Sequence, residues 1–221
     1  IADNFQRFID KFEEHGFDFR IAVIGSDAYK DEFNASLNKS AFRAGNYLDG
    51  NANTVTAPKI LTPQTPDLEK AFIANIIVGI DGSGDERVFQ SLRAAMNNQA
   101  NRDMDFPRAD AYLSIIMVSD EDDFSWDGSG SKDNQYGDPL LHTPESYVGF
   151  MDGVTNSSAT NRTYSVNSIA ILDVACRVAL GDNGRKIATR QNALATLTNG
   201  ILGSLCDDFG TTLSTISNKI I

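Results

Sequence analysis

The chain has 221 residues, 41 % hydrophobic and 22 % charged, the balance of a packed globular domain that is long enough to build one core without staples. Its 19 Lys and Arg against 30 Asp and Glu leave a net charge of −11. That excludes a nucleic-acid backbone as partner, because phosphate binding needs clustered cations, and suits cations, basic partners or plain solubility. No run of about 18 apolar residues occurs, so the sequence offers no membrane-spanning helix; two histidines, His15 and His142, are too few for a histidine-rich zinc site.

Ile1, Phe5, Phe8, Ile9 and Phe12 recur at helical spacing, with Gly16 as the C-terminal stop. This stripe opens without a capping box, and a stripe of Leu213, Ile216 and Ile220 runs into the last residue. Both ends therefore read as interruptions of a longer polypeptide. Phe19–Ile24 alternates and reads as a strand ending at Gly25-Ser26-Asp27. Residues 28–58 lack periodicity and read as an insertion with a short helix near Glu32–Lys39, followed by a brief strand at Lys59–Leu61.

Thr65-Pro66-Asp67 predicts a helix start, with Leu68, Phe72, Ile73 and Ile76 as the buried face. A glycine loop, Gly79 to Glu86, opens a second helix whose face is Val88, Phe89, Leu92 and Met96. Tyr112–Val118 is nearly all apolar, as in a central parallel strand covered on both sides, and stops at Ser119-Asp120-Glu121-Asp122-Asp123. A polar loop over 127–138 precedes a helix from Thr143-Pro144-Glu145 through Met151. Ser168–Ala175 reads as a strand, Arg190–Leu197 as a helix closed by Asn199-Gly200, Ile201–Leu205 as a short strand, and a last helix starts near Thr211. Alternating strands and helices predict an α/β, Rossmann-like, mostly parallel sheet with helices on both faces, as one domain over 1–221.

Ligands of such sheets bind at the carboxyl ends of the strands, which makes Asp120 the sharpest candidate. A hard cation takes carboxylate, hydroxyl and water ligands, and Ser83 and Asp85 in the glycine loop stand as further oxygen donors. Glu121, Asp122 and Asp123 read as a solvated acidic helix start. The Gly82-Ser83-Gly84 triplet lacks the lysine of a phosphate loop. Asp127, Ser129, Ser131, Asp133 and Asp138 approach calcium-loop spacing, but Lys132 stands where the turn glycine belongs. Trp126 beside that loop reads as a hinge packing residue, with an exposed recognition aromatic as the alternative. His15 reads as a helix-end residue, and neither histidine has a visible serine or cysteine partner. Cys176 and Cys206 each fall at an expected strand end, and either a disulfide or two buried thiols fits them.

The strand Phe19–Ile24 with Ser26-Asp27, the loop Gly82-Ser83-Gly84-Asp85-Glu86-Arg87, the strand ending Val118 to Asp123, and Leu205-Cys206-Asp207-Asp208-Phe209 together resemble a von Willebrand factor A-type domain. The similarity is to bacterial surface and secreted members and covers nearly the whole chain. It implies a metal-ion-dependent adhesion site for Mg²⁺ (or Ca²⁺ or Mn²⁺). In the family an Asp-x-Ser-x-Ser segment, a threonine and an aspartate hold the ion. Asp120 matches the aspartate, and Ser83 or Asp85 stands where the family has threonine. The Asp-x-Ser-x-Ser segment and the central strand before it have no counterpart in these residues. The resemblance also implies an extracellular, cell-surface or periplasmic setting, where a Cys176–Cys206 disulfide is expected.

The expected function is a non-enzymatic adhesion module that binds a protein or glycan partner through a cation. The alternative is a structural subunit of a surface fibre or envelope assembly, held by strand donation from another chain or by self-assembly, without a working metal site. A phosphohydrolase using Asp120 as nucleophile needs a lysine and a second acid that no motif places.

Overall fold

The computed structural model describes residues 8–10, 12, 14–79, 82–132, 135–181 and 184–220. Ile1 and Phe5 of the first stripe, Ile80 and Asp81 of the glycine loop, and Asp133 of the calcium-like spacing lie outside them. The architecture is α/β. A hairpin pairs β1 (Asn46–Leu48) with β2 (Thr54–Thr56), antiparallel. A separate parallel sheet has the order β3 (Leu113–Ser119), β4 (Tyr164–Ala170), β5 (Leu202–Ser204). Leu113 pairs with Tyr164 and Ser119 with Ala170, while Ser168 pairs with Leu202.

Helices cover both faces of this sheet, and strand alternation says which residues meet which helices. Leu113, Ile115 and Met117 of β3 join Tyr164 and Val166 of β4 against Phe89, Leu92 and Met96 of α2 (Val88–Asn97), Tyr147 and Met151 of α4 (Pro144–Val154), and Leu194 of α6 (Thr189–Leu197). On the other face Ile116 and Ile169 meet Phe8, Ile9 and Phe12, Leu68 and Phe72 of α1 (Leu68–Ile76), and Leu213 and Ile216 of α7 (Phe209–Ile220). Two short helices, α3 (Gln99–Arg102) and α5 (Val174–Ala179), also lie among the described residues.

Phe8–Asp10, Phe12 and Glu14 are helical, and Gly16 ends these turns at φ +66°. The Phe17 N–H reaches back to the Phe12 carbonyl at 2.9 Å, with the two rings edge to face at 6.5 Å. This six-to-one closure with an apolar contact is the usual glycine helix end.

Several boundaries differ from expectation for local reasons. The strand expected over 168–175 lies at Tyr164–Ala170, because Asp173 caps α5 by accepting the Cys176 N–H at 2.8 Å. Cys176 is therefore helical rather than at a strand end. Helix α1 starts at Leu68, since Asp67 takes φ +47° and the Thr65 hydroxyl accepts the Thr62 N–H in a turn. Its buried residues are Ala71, Ala74 and Asn75, flanked by Leu68 and Phe72. The insertion holds two 3₁₀ turns, Ala28–Glu32 and Ala35–Leu37, and the β1–β2 hairpin, instead of one helix. In α4 the Thr143 cap is as expected, its hydroxyl accepting the Ser146 N–H.

The centre of the sheet is β4, all seven residues buried, and β3 stands at its edge. Residues 18–27 are tied at one end to the segment ahead of β3 and at the other to the loop that opens α2. Arg108 pairs with Asp18, and Arg20 donates to the Asp105 carbonyl at 2.9 Å, both ahead of β3. At the far end Asp27 accepts the Ser83 N–H, close to where β3 finishes. Ile21 exchanges two bonds with Leu61, and Val23 accepts from Arg43, all on one side. Backbone groups alternate sides along an extended chain, so Arg20, Ala22 and Ile24 direct theirs away from Leu61 and Arg43. On β3 the Leu113 N–H turns to Thr163, beside β4, which turns Ser114, Ile116 and Val118 outward. Among the described residues no backbone bond joins these two rows. The expected strand at Phe19–Ile24 is thus a single bridge at Ile21, for want of a partner on that side.

Candidate functional site

Three segments bring carboxylates together at the carboxyl end of β3. Asp27 follows the extended segment 19–25, Glu86 precedes α2, and Asp120 follows β3. Asp27 pairs with Lys30 at 2.7 Å and accepts the Ser83 N–H at 3.3 Å. Asp120 is half exposed, with Arg185 Nε at 3.1 Å. Burial pushes the Glu86 carboxyl up; the Ser26 hydroxyl opposes this, and the charges of Asp120 and Asp27 add to it. Glu121 is also pushed up, by burial and then by Glu86, while the Tyr136 hydroxyl donates to it at 3.3 Å.

Asp120 stands at this edge and Ser83 touches it through its N–H on Asp27, whereas Asp85 turns to the loop after Trp126. The Ser83 hydroxyl accepts the Asp85 N–H at 3.2 Å. Asp85 is buried and its Oδ2 accepts the Lys132 N–H at 2.6 Å. Among the described residues, no group of three or more His, Cys, Asp or Glu is arranged to hold a metal ion.

The reading of Asp122 and Asp123 as a solvated helix start is corrected. They are 1 % and 0 % exposed, and each caps a different helix. Asp122 accepts the Arg190 and Gln191 N–H groups and the Thr189 hydroxyl at the start of α6. Asp123 accepts the Phe89 N–H of α2 at 2.9 Å and both donors of Ser125. Repulsion within the acidic run is avoided by sending the adjacent Asp122 and Asp123 to separate partners, backbone donors among them.

Elsewhere, Cys176 in α5 and Cys206 in the turn after β5 form a disulfide, with Cα atoms 5.6 Å apart. His142 bridges the Tyr147 hydroxyl and Asp127, each at 2.9 Å, and burial lowers its pKa against the pull of Asp127. Trp126 is half-buried, with Lys132 Nζ 4.1 Å and the Arg87 guanidinium 5.4 Å from its ring. A shallow cavity of about 310 Å³ lies on the segment leading into β3, between Met96, Arg102 and Phe106.

The sequence reading missed Glu86 as the third carboxylate of the edge, and Arg185 as the cation beside Asp120. For Glu86 a signal existed, since it opens α2 directly after a glycine loop. Arg185 carries none, being brought in by a polar loop. Compared with family models, curated proteins and solved structures, the chain has no match.

Proposed function

We propose that the chain is a non-catalytic binding module of von Willebrand A type, which engages a protein or glycan partner through a divalent cation at the acidic edge. The observation that carries this is the convergence of Asp27, Glu86 and Asp120 from three segments, with the Glu86 carboxyl pushed up by burial and by both neighbours. Mg²⁺ is held by one or two carboxylates and keeps several waters, so the donors at this edge suit a largely hydrated ion. Asp120 and Glu86 would hold it, with the Ser83 hydroxyl beside them. Bound there, the ion offers an exchangeable position to an acidic group of the partner, which reconciles an acidic protein with an acidic ligand. A setting outside the cytoplasm, at a cell surface or in a periplasm, is supported by the Cys176–Cys206 disulfide.

The test is thermal unfolding of chelator-treated protein with Mg²⁺, Ca²⁺ or Mn²⁺. A ligand at about a hundred times its Kd stabilises by about 2.7 kcal/mol, and a rise of that order is expected for at least one cation. Asp120→Ala is expected to remove it while remaining folded in metal-free buffer, and Glu86→Gln to weaken it. An unchanged midpoint of the parent protein at millimolar cation overturns the reading.

The second reading, a structural subunit held by strand sharing, is favoured by one observation. Among the described residues, the outward row of Ser114, Ile116 and Val118 on β3 has no backbone partner strand. Such a long apolar edge is a template for an added strand. Hydrogen exchange on dilute monomer is expected to find the amides of Ser114, Ile116 and Val118 fast and those of Ile115 and Met117 slow. Protection of the fast set on concentration, with a rise in mass, supports sharing; uniform protection in the monomer removes this reading.

A further inference from the structure

Asp85, Glu86 and Arg87 are consecutive, yet their side chains serve two places. Glu86 belongs to the acidic edge, held against Ser26. Asp85 accepts from the backbone of Lys132. Arg87, 1 % exposed, reaches into the loop 126–131, donating to the carbonyls of Gly128 at 2.7 Å, Gly130, and Trp126 at 3.4 Å. Its guanidinium lies 4.5 Å from the Tyr29 ring. Among the described residues this buried cation has no carboxylate ion pair; its charge is met by carbonyl dipoles and aromatic faces. A fork of donors that closes on alternate carbonyls of one loop is a geometry lysine cannot reproduce.

The loop is fitted as closely from its own side. Trp126 Nε1 donates to the Gly130 carbonyl at 3.2 Å. A Cβ on Gly128 would stand 1.9 Å from the Trp126 ring, so only glycine lets the ring lie over the loop. The Glu86 carbonyl accepts the Phe124 N–H at 2.7 Å, tying the same stretch to the root of the loop. A shift of Glu86 therefore moves the anchors on both sides of it.

We propose that Arg87 is a positioning residue that ties the Trp126 loop to the acidic edge, so that a displacement of the Glu86 backbone, which holds the Phe124 N–H on one side and carries Arg87 on the other, resets the environment of Trp126. The loop is then the part of the partner-facing surface whose shape depends on occupancy of the edge. The cation-driven form of this coupling rests on the cation reading above; the tie itself does not. Since Trp126 is the only tryptophan in the chain, its emission reports on this loop alone.

The experiment follows Trp126 emission and its quenching by acrylamide, with Mg²⁺ binding measured in parallel by calorimetry. Arg87→Lys is expected to raise quenching several-fold and leave Mg²⁺ affinity close to that of the parent, while abolishing the emission change that Mg²⁺ produces. Gly128→Ala, which breaks the loop with Arg87 intact, is expected to raise quenching likewise and serves should Arg87→Lys fail to fold. Glu86→Gln in metal-free buffer is expected to shift emission in the same direction as Mg²⁺ does in the parent. Mg²⁺ binding without an emission change overturns the coupling and leaves the cation reading standing. Absence of Mg²⁺ binding overturns the cation reading; the tie then stands if Glu86→Gln shifts emission through Arg87, and falls if quenching is unchanged in both loop variants.

Discussion

Asp122→Ala is expected to lower the unfolding free energy by roughly 3–5 kcal/mol, the sum of a lost helix cap and of buried donors left without an acceptor. The carboxylate is 1 % exposed and receives the Thr189 hydroxyl at 2.7 Å, the Arg190 N–H at 3.0 Å, the Gln191 N–H at 3.3 Å and the Asp123 N–H at 2.9 Å. Alanine offers none of these an acceptor, and water cannot enter without opening the junction of β3 with α6. Urea unfolding checks this: the midpoint should fall with the slope unchanged. A loss under about 1 kcal/mol, the range of an exposed cap, would mean that the junction relaxes and lets water in.

Its neighbour Asp123 adds a pH signature. Burial raises its pKa from the ordinary 3.8 to about 6, against the donors from Phe89 and Ser125 and the charge of Arg190. A carboxyl that holds its proton more tightly when folded gains stability as pH falls, here between about 6 and 3.8. His142, whose pKa is lowered, acts in the opposite direction as pH falls through 6.5, so the whole protein does not isolate the effect. The difference between the parent and Asp123→Asn does, because His142 is common to both. That difference should move in favour of the parent as pH drops from 7 to 4.5. A flat difference means that Asp123 titrates alike in the folded and unfolded chain.

Much of the α/β pattern was legible because it rests on local periodicity. The apolar run at Leu113–Val118, the Val88–Met96 helix face and the Thr143-Pro144 start each carry their signal within a few residues. What was not legible depends on contacts far apart in the chain. The run Asp120 to Asp123 looks uniform in sequence, yet Asp122 is spent on residue 190 and Asp123 on residue 89, and only Asp120 and Glu121 remain at the edge. The position of β3 follows the same logic. An all-apolar run predicts a strand with neighbours on both sides, and among the described residues β3 has one, β4. Burial pattern reports what covers the faces of a strand, whereas the number of hydrogen-bonded neighbours is set by other segments. At the candidate site Asp120 was visible as a strand-end carboxylate. Glu86 became a member through its hydrogen bond with Ser26, and Asp85 turned to the Lys132 backbone.

Removing the disulfide, as Cys176→Ala with Cys206→Ala, is expected to cost about 3–4 kcal/mol, the chain-entropy value for a closed loop of this size. The two cysteines are 30 residues apart and join α5 to the turn after β5. For a chain of this length that corresponds to a fall of about 10 °C in Tm, measurable by calorimetry on the double variant and on reduced parent protein. The loss should not be evenly spread. Strand β5 pairs with β4 over only three residues, Leu202–Ser204, and α7 follows after the turn that holds Cys206. Without the bridge, amide protection in β5 and α7 should drop first, while β4, buried along its whole length, keeps its own. Equal loss of protection in β3, β4 and β5 would instead mean that the sheet opens as a unit and that the bridge acts on the unfolded chain alone. A Tm within a few degrees of the parent would place the stability of this edge in the packing of Leu213 and Ile216 on Ile169, with the bridge adding little to it.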